Sequence, residues 1–248
     1  MVFTALAFIA VAFLYSSVGF GGGSTYTAIL IESGLHWELV PLVSLVCNLV
    51  VVSGGVYHFA RAGHLKLHFA VPLVATSVPA AFLGGYIQLD ESDFLQILGA
   101  ALFVAGLLML WDRQQPESRA SGPFSGPAIL YGLGLLLGGL AGITGIGGGI
   151  YLAPILHLTR LAEAKTVAAT CSLFILVNSL AGLAGQLAKL GASAGGLLDP
   201  SYLVLPAAVL IGGQLGSRAG ATRLRAVLIR RLTGLVILVV AARLLWLA

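Results

Sequence analysis

Two stretches decide how this chain is read: Val18-Gly19-Phe20-Gly21-Gly22-Gly23-Ser24-Thr25 and Thr144-Gly145-Ile146-Gly147-Gly148-Gly149-Ile150-Tyr151. Each is a G-x-G-G-G cluster within an apolar run, and the two are offset by 126 residues. Glycine inside a helix costs about 1 kcal/mol relative to alanine, so a cluster of glycines predicts a helix break. The runs that carry the clusters, 3–33 and 126–158, are anomalous in length. A bilayer crossing takes about 20 apolar residues, so each run is too long for one crossing and too short for two. Broken backbone at membrane depth is tolerated only when it is buried in protein or lines a cavity.

The rest of the chain agrees with a membrane setting. Its 248 residues hold 13 Lys+Arg and 9 Asp+Glu, only 9% charged, with 58% hydrophobic residues and a mean hydropathy of +1.02. A soluble domain carries about 25% charged residues, and disordered chains are poor in apolar ones. Continuous rather than alternating apolar runs exclude a transmembrane β-barrel. The composition therefore predicts an all-α integral membrane protein. The net charge of +4 is spread over the whole chain, so it reads as a topology signal and not as a nucleic-acid surface. Clear spans are expected at about 39–60, 68–88, 93–111, 166–187, 201–217 and 227–247. Residues 1–20 lack a basic leader and an obvious cleavage site, so they are read as a retained membrane segment.

The polar stretch 112–127 is the one real linker, and it prompts a search for repeats. The chain divides into a first repeat (1–113), a linker (114–127) and a second repeat (128–248). Besides the glycine clusters, Asn48 aligns with Asn178 once about four extra residues are allowed, and Leu83-Gly84-Gly85 aligns with Leu215-Gly216-Ser217. If each broken run crossed fully, Arg218, Arg223 and Arg225 would fall outside, against the positive-inside rule. If each run enters and returns on one side, 11 of the 13 basic residues share a face and only Lys189 and Arg243 lie opposite. The expected fold is thus two inverted repeats, each a glycine-broken re-entrant helix pair plus three transmembrane helices.

Inverted repeats with broken helices are a recurring plan in secondary transporters, with substrate held near the midplane by half-helix ends. A helix N-terminus offers free N–H groups and a partial positive charge. Two such ends suit an anion, and no basic side chain sits mid-span to serve instead. The candidate substrate-binding residues are Gly21, Gly22, Gly23, Ser24, Thr25 and Asn48 in the first half, and Thr144, Gly147, Gly148, Gly149 and Asn178 in the second. The competing reading is helix packing, because both clusters are also G-x-x-x-G and an asparagine in lipid needs a partner. Ser44, Thr170, Ser172 and Gln214 are weaker candidates, Gln186 reads as structural, and Tyr26 and Tyr151 as packing or gate residues. Cys47 and Cys171 form no metal-ligand or CxxC spacing and read as buried small hydrophobes. His58, His64 and His68 lie by a basic loop and read as solvated. No HExxH, Walker A or GxSxG motif is present, so no catalytic residue, metal or cofactor is expected.

G-x-G-G-G followed by a short helix, once in each half of a chain of this length, resembles the TauE/SafE sulfite exporter family. The second cluster, with Pro154-Ile155-Leu156 after it, matches the pattern better; the first has Ala28 where the second has Pro154. The resemblance covers nearly the whole chain. It implies a secondary transporter of sulfite, a sulfonate or another organosulfur anion in the bacterial inner membrane, working by alternating access. A proton is a possible coupling ion. The alternatives are an anion channel and a membrane sulfur relay through Cys47 and Cys171.

Overall fold

A computed structural model describes residues 2–87, 90–111, 127–158, 162–190 and 200–222, together with 238, 239, 241, 242 and 245. The linker and most of the expected last span, 227–247, lie outside the described residues. Among those described, the regular structure is entirely helical: α1 (Val2–Ser16), α2 (Gly23–Glu32), α3 (Val40–Arg61), α4 (Leu67–Tyr86), α5 (Glu91–Trp111), α6 (Pro127–Thr144), α7 (Gly149–Leu158), α8 (Ala164–Leu190) and α9 (Val204–Thr222), the last preceded by a 3-10 turn at Pro200–Leu203. Three of them, α3, α4 and α8, are long and apolar enough to cross a membrane, and shorter apolar helices run at Phe3–Ser16, Ser92–Val104 and Ala128–Thr144. At 1.5 Å per residue the 22-residue α3 is about 33 Å long, enough for the hydrocarbon core.

Both anomalous runs break at their glycines, and the spacing of the cluster explains how. Gly19 adopts a left-handed φ of 86°. There Phe20 N–H donates to Tyr15 O at 2.9 Å and Gly19 N–H to Ser16 O at 3.1 Å, a left-handed C-cap that satisfies the last carbonyls of α1. Three residues later Gly22, φ 95°, is the N-cap of α2, with no side-chain cap. Gly145 and Gly148 take the same left-handed sense in the second run. The first glycine of each cluster stops a helix and the fourth starts the next.

The short helix α2 then folds back along α1. Tyr15 Oη lies 2.8 Å from Thr25 Oγ1, and one residue further along α2 the Tyr26 ring stacks on Phe8, centroids 4.4 Å apart. Phe8, Ala12, Tyr26, Leu30, Leu35, Leu39, Cys47 and Leu205 form one core cluster. A second joins Val52, Ile146, Ile150, Cys171, Phe174 and Ile175.

Small residues set how the long helices pair. Gly212 and Gly216 of α9 lie against the carbonyls of Ile9 and Phe13 of α1, and Gly220 against that of Ser17 just past its end. Gly134, Gly138 and Gly142 of α6 lie against those of Leu73, Ser77 and Ala81 of α4. Both pairs are parallel, with backbones close enough that a Cβ at these glycines would collide with the facing chain. Helix α3 runs parallel to α9: Leu39 and Leu205 share a cluster at one end, and Arg61 and Arg218 share a cleft at the other. Helix α3 runs antiparallel to α8, since Leu45 meets Gly182 and Gly55 meets Ser172. At the end of α3 away from Arg61, Glu38 is close enough to Lys189 to act on it electrostatically.

Candidate functional site

The two glycine clusters meet in the middle of the molecule. A Cβ on Gly23 would lie 3.0 Å from Ile146 Cα. Helix α3 ties the clusters together through two polar side chains that are fully buried. Ser44 Oγ lies 3.2 Å from Gly23 O and 3.0 Å from Gly145 O, one carbonyl from each cluster, while Thr27 Oγ1 donates to Ser44 Oγ at 3.3 Å. Asn48 Nδ2 donates to Ile146 O at 3.0 Å. Its Oδ1 has no hydrogen-bond partner and lies where a Cβ on Gly21 would fall. Only glycine leaves room for the amide at Gly21 and Gly23.

Gly147 faces the same centre from the second half. A Cβ there would sit 2.8 Å from Ser179 Oγ and 3.4 Å from Asn48 Nδ2. Ser179 Oγ is buried without a partner. Gly22 lies beneath the Tyr26 ring, Gly148 against Phe174 and Gly149 against Ile175. In each half two N–H groups, of Gly23 and Ser24 and of Gly149 and Ile150, precede the first closed helical turn. Such groups have no intrahelical acceptor.

The structure therefore brings Gly21, Gly23, Asn48 and Gly147 together, while Ser24, Thr25 and Thr144 are engaged elsewhere. Ser24 donates to Tyr15 Oη at 3.3 Å and Thr25 shares the same phenol. Thr144 donates back to Leu140 O in its own helix at 2.6 Å. Asn178 is buried, and neither atom of its amide has a partner. Asn178 does not share the surroundings of Asn48. Asn48 occupies the space beside Gly21 and Gly23, and Ile175 occupies it beside Gly147 and Gly149. Likewise Pro41 backs Gly145 where Ala168 backs Gly19. Both pairs are separated by 127 residues in the chain. Ser44, a weaker candidate in the sequence, and Ser179, which the sequence does not single out, both lie at this centre. Their signal, a lone hydroxyl in an apolar helix, is common to residues that merely bond their own preceding turn.

Cys47 and Cys171 are free, buried and in different core clusters. Among the described residues no group of three or more His, Cys, Asp or Glu is placed to hold a metal ion.

The family model for the sulfite exporter TauE/SafE matches residues 4–244. The chain is 30% identical over 244 residues to a protein of Sinorhizobium fredii (strain NBRC 101917 / NGR234) described as probable membrane transporter protein y4hK, covering 98% of this chain and 97% of that one. No solved structure matches.

Proposed function

The chain belongs to the sulfite exporter TauE/SafE family, a family of multi-pass membrane transporters, and from that premise we propose that it is a secondary active transporter of a small anion. Sulfite, a sulfonate or another organosulfur anion is the substrate class, carried across the bacterial inner membrane by alternating access. The observation that carries the reading is the meeting of two glycine-broken segments at Ser44 and Asn48, each presenting a helix N-terminus at the molecular centre. Backbone N–H groups at helix ends recognise oxyanions without a buried cation. The central Ser179 adds a hydroxyl that the protein itself leaves without a partner and that can donate to an anion, whereas the free atom of Asn48, Oδ1, is an acceptor.

The two halves act as inverted repeats in this scheme. The helix directions support it: α3 is antiparallel to its counterpart α8, and α1, parallel to α9 and α3, opposes its counterpart α6, parallel to α4. Rocking of one half against the other exposes the centre alternately to each face. A proton gradient or the gradient of the substrate itself drives the cycle. No catalytic step is part of it, and the separate placement of the two thiols gives a sulfur relay no support.

Purified protein in proteoliposomes tests the proposal. Uptake of labelled sulfite or a short sulfonate should saturate and show exchange with internal substrate. Gly22→Leu together with Gly148→Leu fills the breaks and should abolish uptake in protein that still elutes as a folded species. Uptake that survives this pair removes the site assignment, and single-channel steps in a planar bilayer would replace the carrier with a channel.

A further inference from the structure

We propose that the cleft between the C-terminal ends of α3 and α9 is a second anion site, a capture vestibule for small oxyanions at the basic face of the protein. The cleft has a volume of about 530 Å³ and is lined by Tyr57, His58, Arg61, Ala62, Arg218, Ala221 and Thr222. It holds two guanidinium groups and an imidazole, and among the described residues no carboxylate lines it. Arg61 Nη1 donates to Tyr57 Oη at 2.9 Å, which orients one guanidinium. Thr222 donates its hydroxyl to Arg218 O at 2.8 Å, so the attraction for an anion comes from the arginines. A guanidinium group suits a planar or tetrahedral oxyanion, because its fixed donors match two oxygens at once, and two of them line this cleft.

A line of polar groups leads from this cleft toward the first glycine break. His58 Nε2 is 3.2 Å from Gln214 Oε1. The Gln214 amide lies against Gly54, and the adjacent Gly55 faces Ser172 Oγ. That hydroxyl donates to Gly19 O at 3.0 Å. A chain of contacts thus links the cleft to the break. Its role as a vestibule rests on the transport reading, whereas its affinity for an oxyanion stands on the cleft alone. A lipid phosphate headgroup shares the chemistry, and the test separates the two sources.

The full-length protein is placed in nanodiscs of phosphatidylcholine alone and titrated with radiolabelled sulfate. Saturable binding is expected, with affinity falling at least about tenfold in Arg61→Gln/Arg218→Gln, as loss of charge-assisted hydrogen bonds implies. Arg61→Lys/Arg218→Lys should retain part of the affinity. Tyr57→Phe, a mild surface change, should weaken binding about threefold by freeing Arg61. Wild-type affinity in the double glutamine variant overturns the proposal. So does a wild type that ignores sulfate while retaining phosphatidylglycerol in an arginine-dependent way, since that outcome assigns the cleft to lipid. Sulfite and sulfonate transport is measured on the same preparation: sulfate binding without any sulfur-anion transport leaves the cleft standing and removes the transport reading.

Discussion

Asn48 shows what a single residue does in this fold. An asparagine amide in an apolar helix must find partners or destabilise the protein, and here half of it is satisfied. The Nδ2 group holds the Ile146 carbonyl in the broken segment of the other half, while Oδ1 has none. Asn48→Leu removes the tie and leaves Ile146 O buried without a donor, which should cost about 1 kcal/mol. Unfolding in mixed micelles with increasing sodium dodecyl sulfate would measure it. The same change should abolish substrate uptake, whereas Asn178→Leu, which breaks no hydrogen bond between the clusters, should lower uptake less. Equal losses from both would restore the paired-asparagine reading. Asn48 was legible in the sequence because an amide stands out among valines and leucines. Its partnership with Ile146 was not, since that contact joins residues 98 apart in the chain. The pairing with Asn178 rests on residue type alone. The spacing of the glycine contacts, which only the folded chain displays, puts Ile175 there instead.

At the scale of elements, the broken segments were readable because glycine clusters act locally: a left-handed residue stops one helix and another starts the next. Helix pairing was much less readable, because glycines spaced by four occur in several helices and nothing in the spacing names the partner. The structure shows Gly142 against the Ala81 carbonyl and Gly216 against the Phe13 carbonyl. Backbone cannot yield as a side chain can, so Gly142→Leu and Gly216→Leu should each destabilise by about 3 kcal/mol or more. Gly63 provides the contrast. It has a left-handed φ of 77° but nothing near a Cβ, so Gly63→Ala should cost only about 1–2 kcal/mol of backbone strain. Thermal inactivation followed by size-exclusion chromatography ranks the three. A Gly63 variant that falls apart before the Gly142 variant would contradict the packing account.

At the scale of the molecule, composition was enough to place the chain in a membrane, and the distribution of its basic residues pointed to which way the helices run. Large side chains such as Phe3, Leu6, Leu135, Leu136, Leu210 and Ile211 are exposed on the protein surface, as expected where lipid tails replace water. The direction of the second half is the feature on which alternating access depends. Full crossing of each glycine-broken run would put the ends of α3 and α9 on opposite faces, whereas Arg61 and Arg218 share one cleft. Glu38 lies by Lys189 at the far end of α3. Single cysteines at these positions, in a Cys47→Ser/Cys171→Ser background, should therefore divide into two classes in intact cells. Glu38→Cys should react with a membrane-impermeant maleimide added outside. Arg61→Cys and Arg218→Cys should both resist it until the membrane is opened, because the positive-inside rule places the basic face in the cytoplasm. Labelling of Arg61→Cys and Arg218→Cys from opposite faces would exclude the inverted arrangement, and with it rocking between two equivalent halves. Labelling of both from outside would keep the arrangement and reverse the orientation, turning the basic cleft toward the exterior and making it an entrance for import.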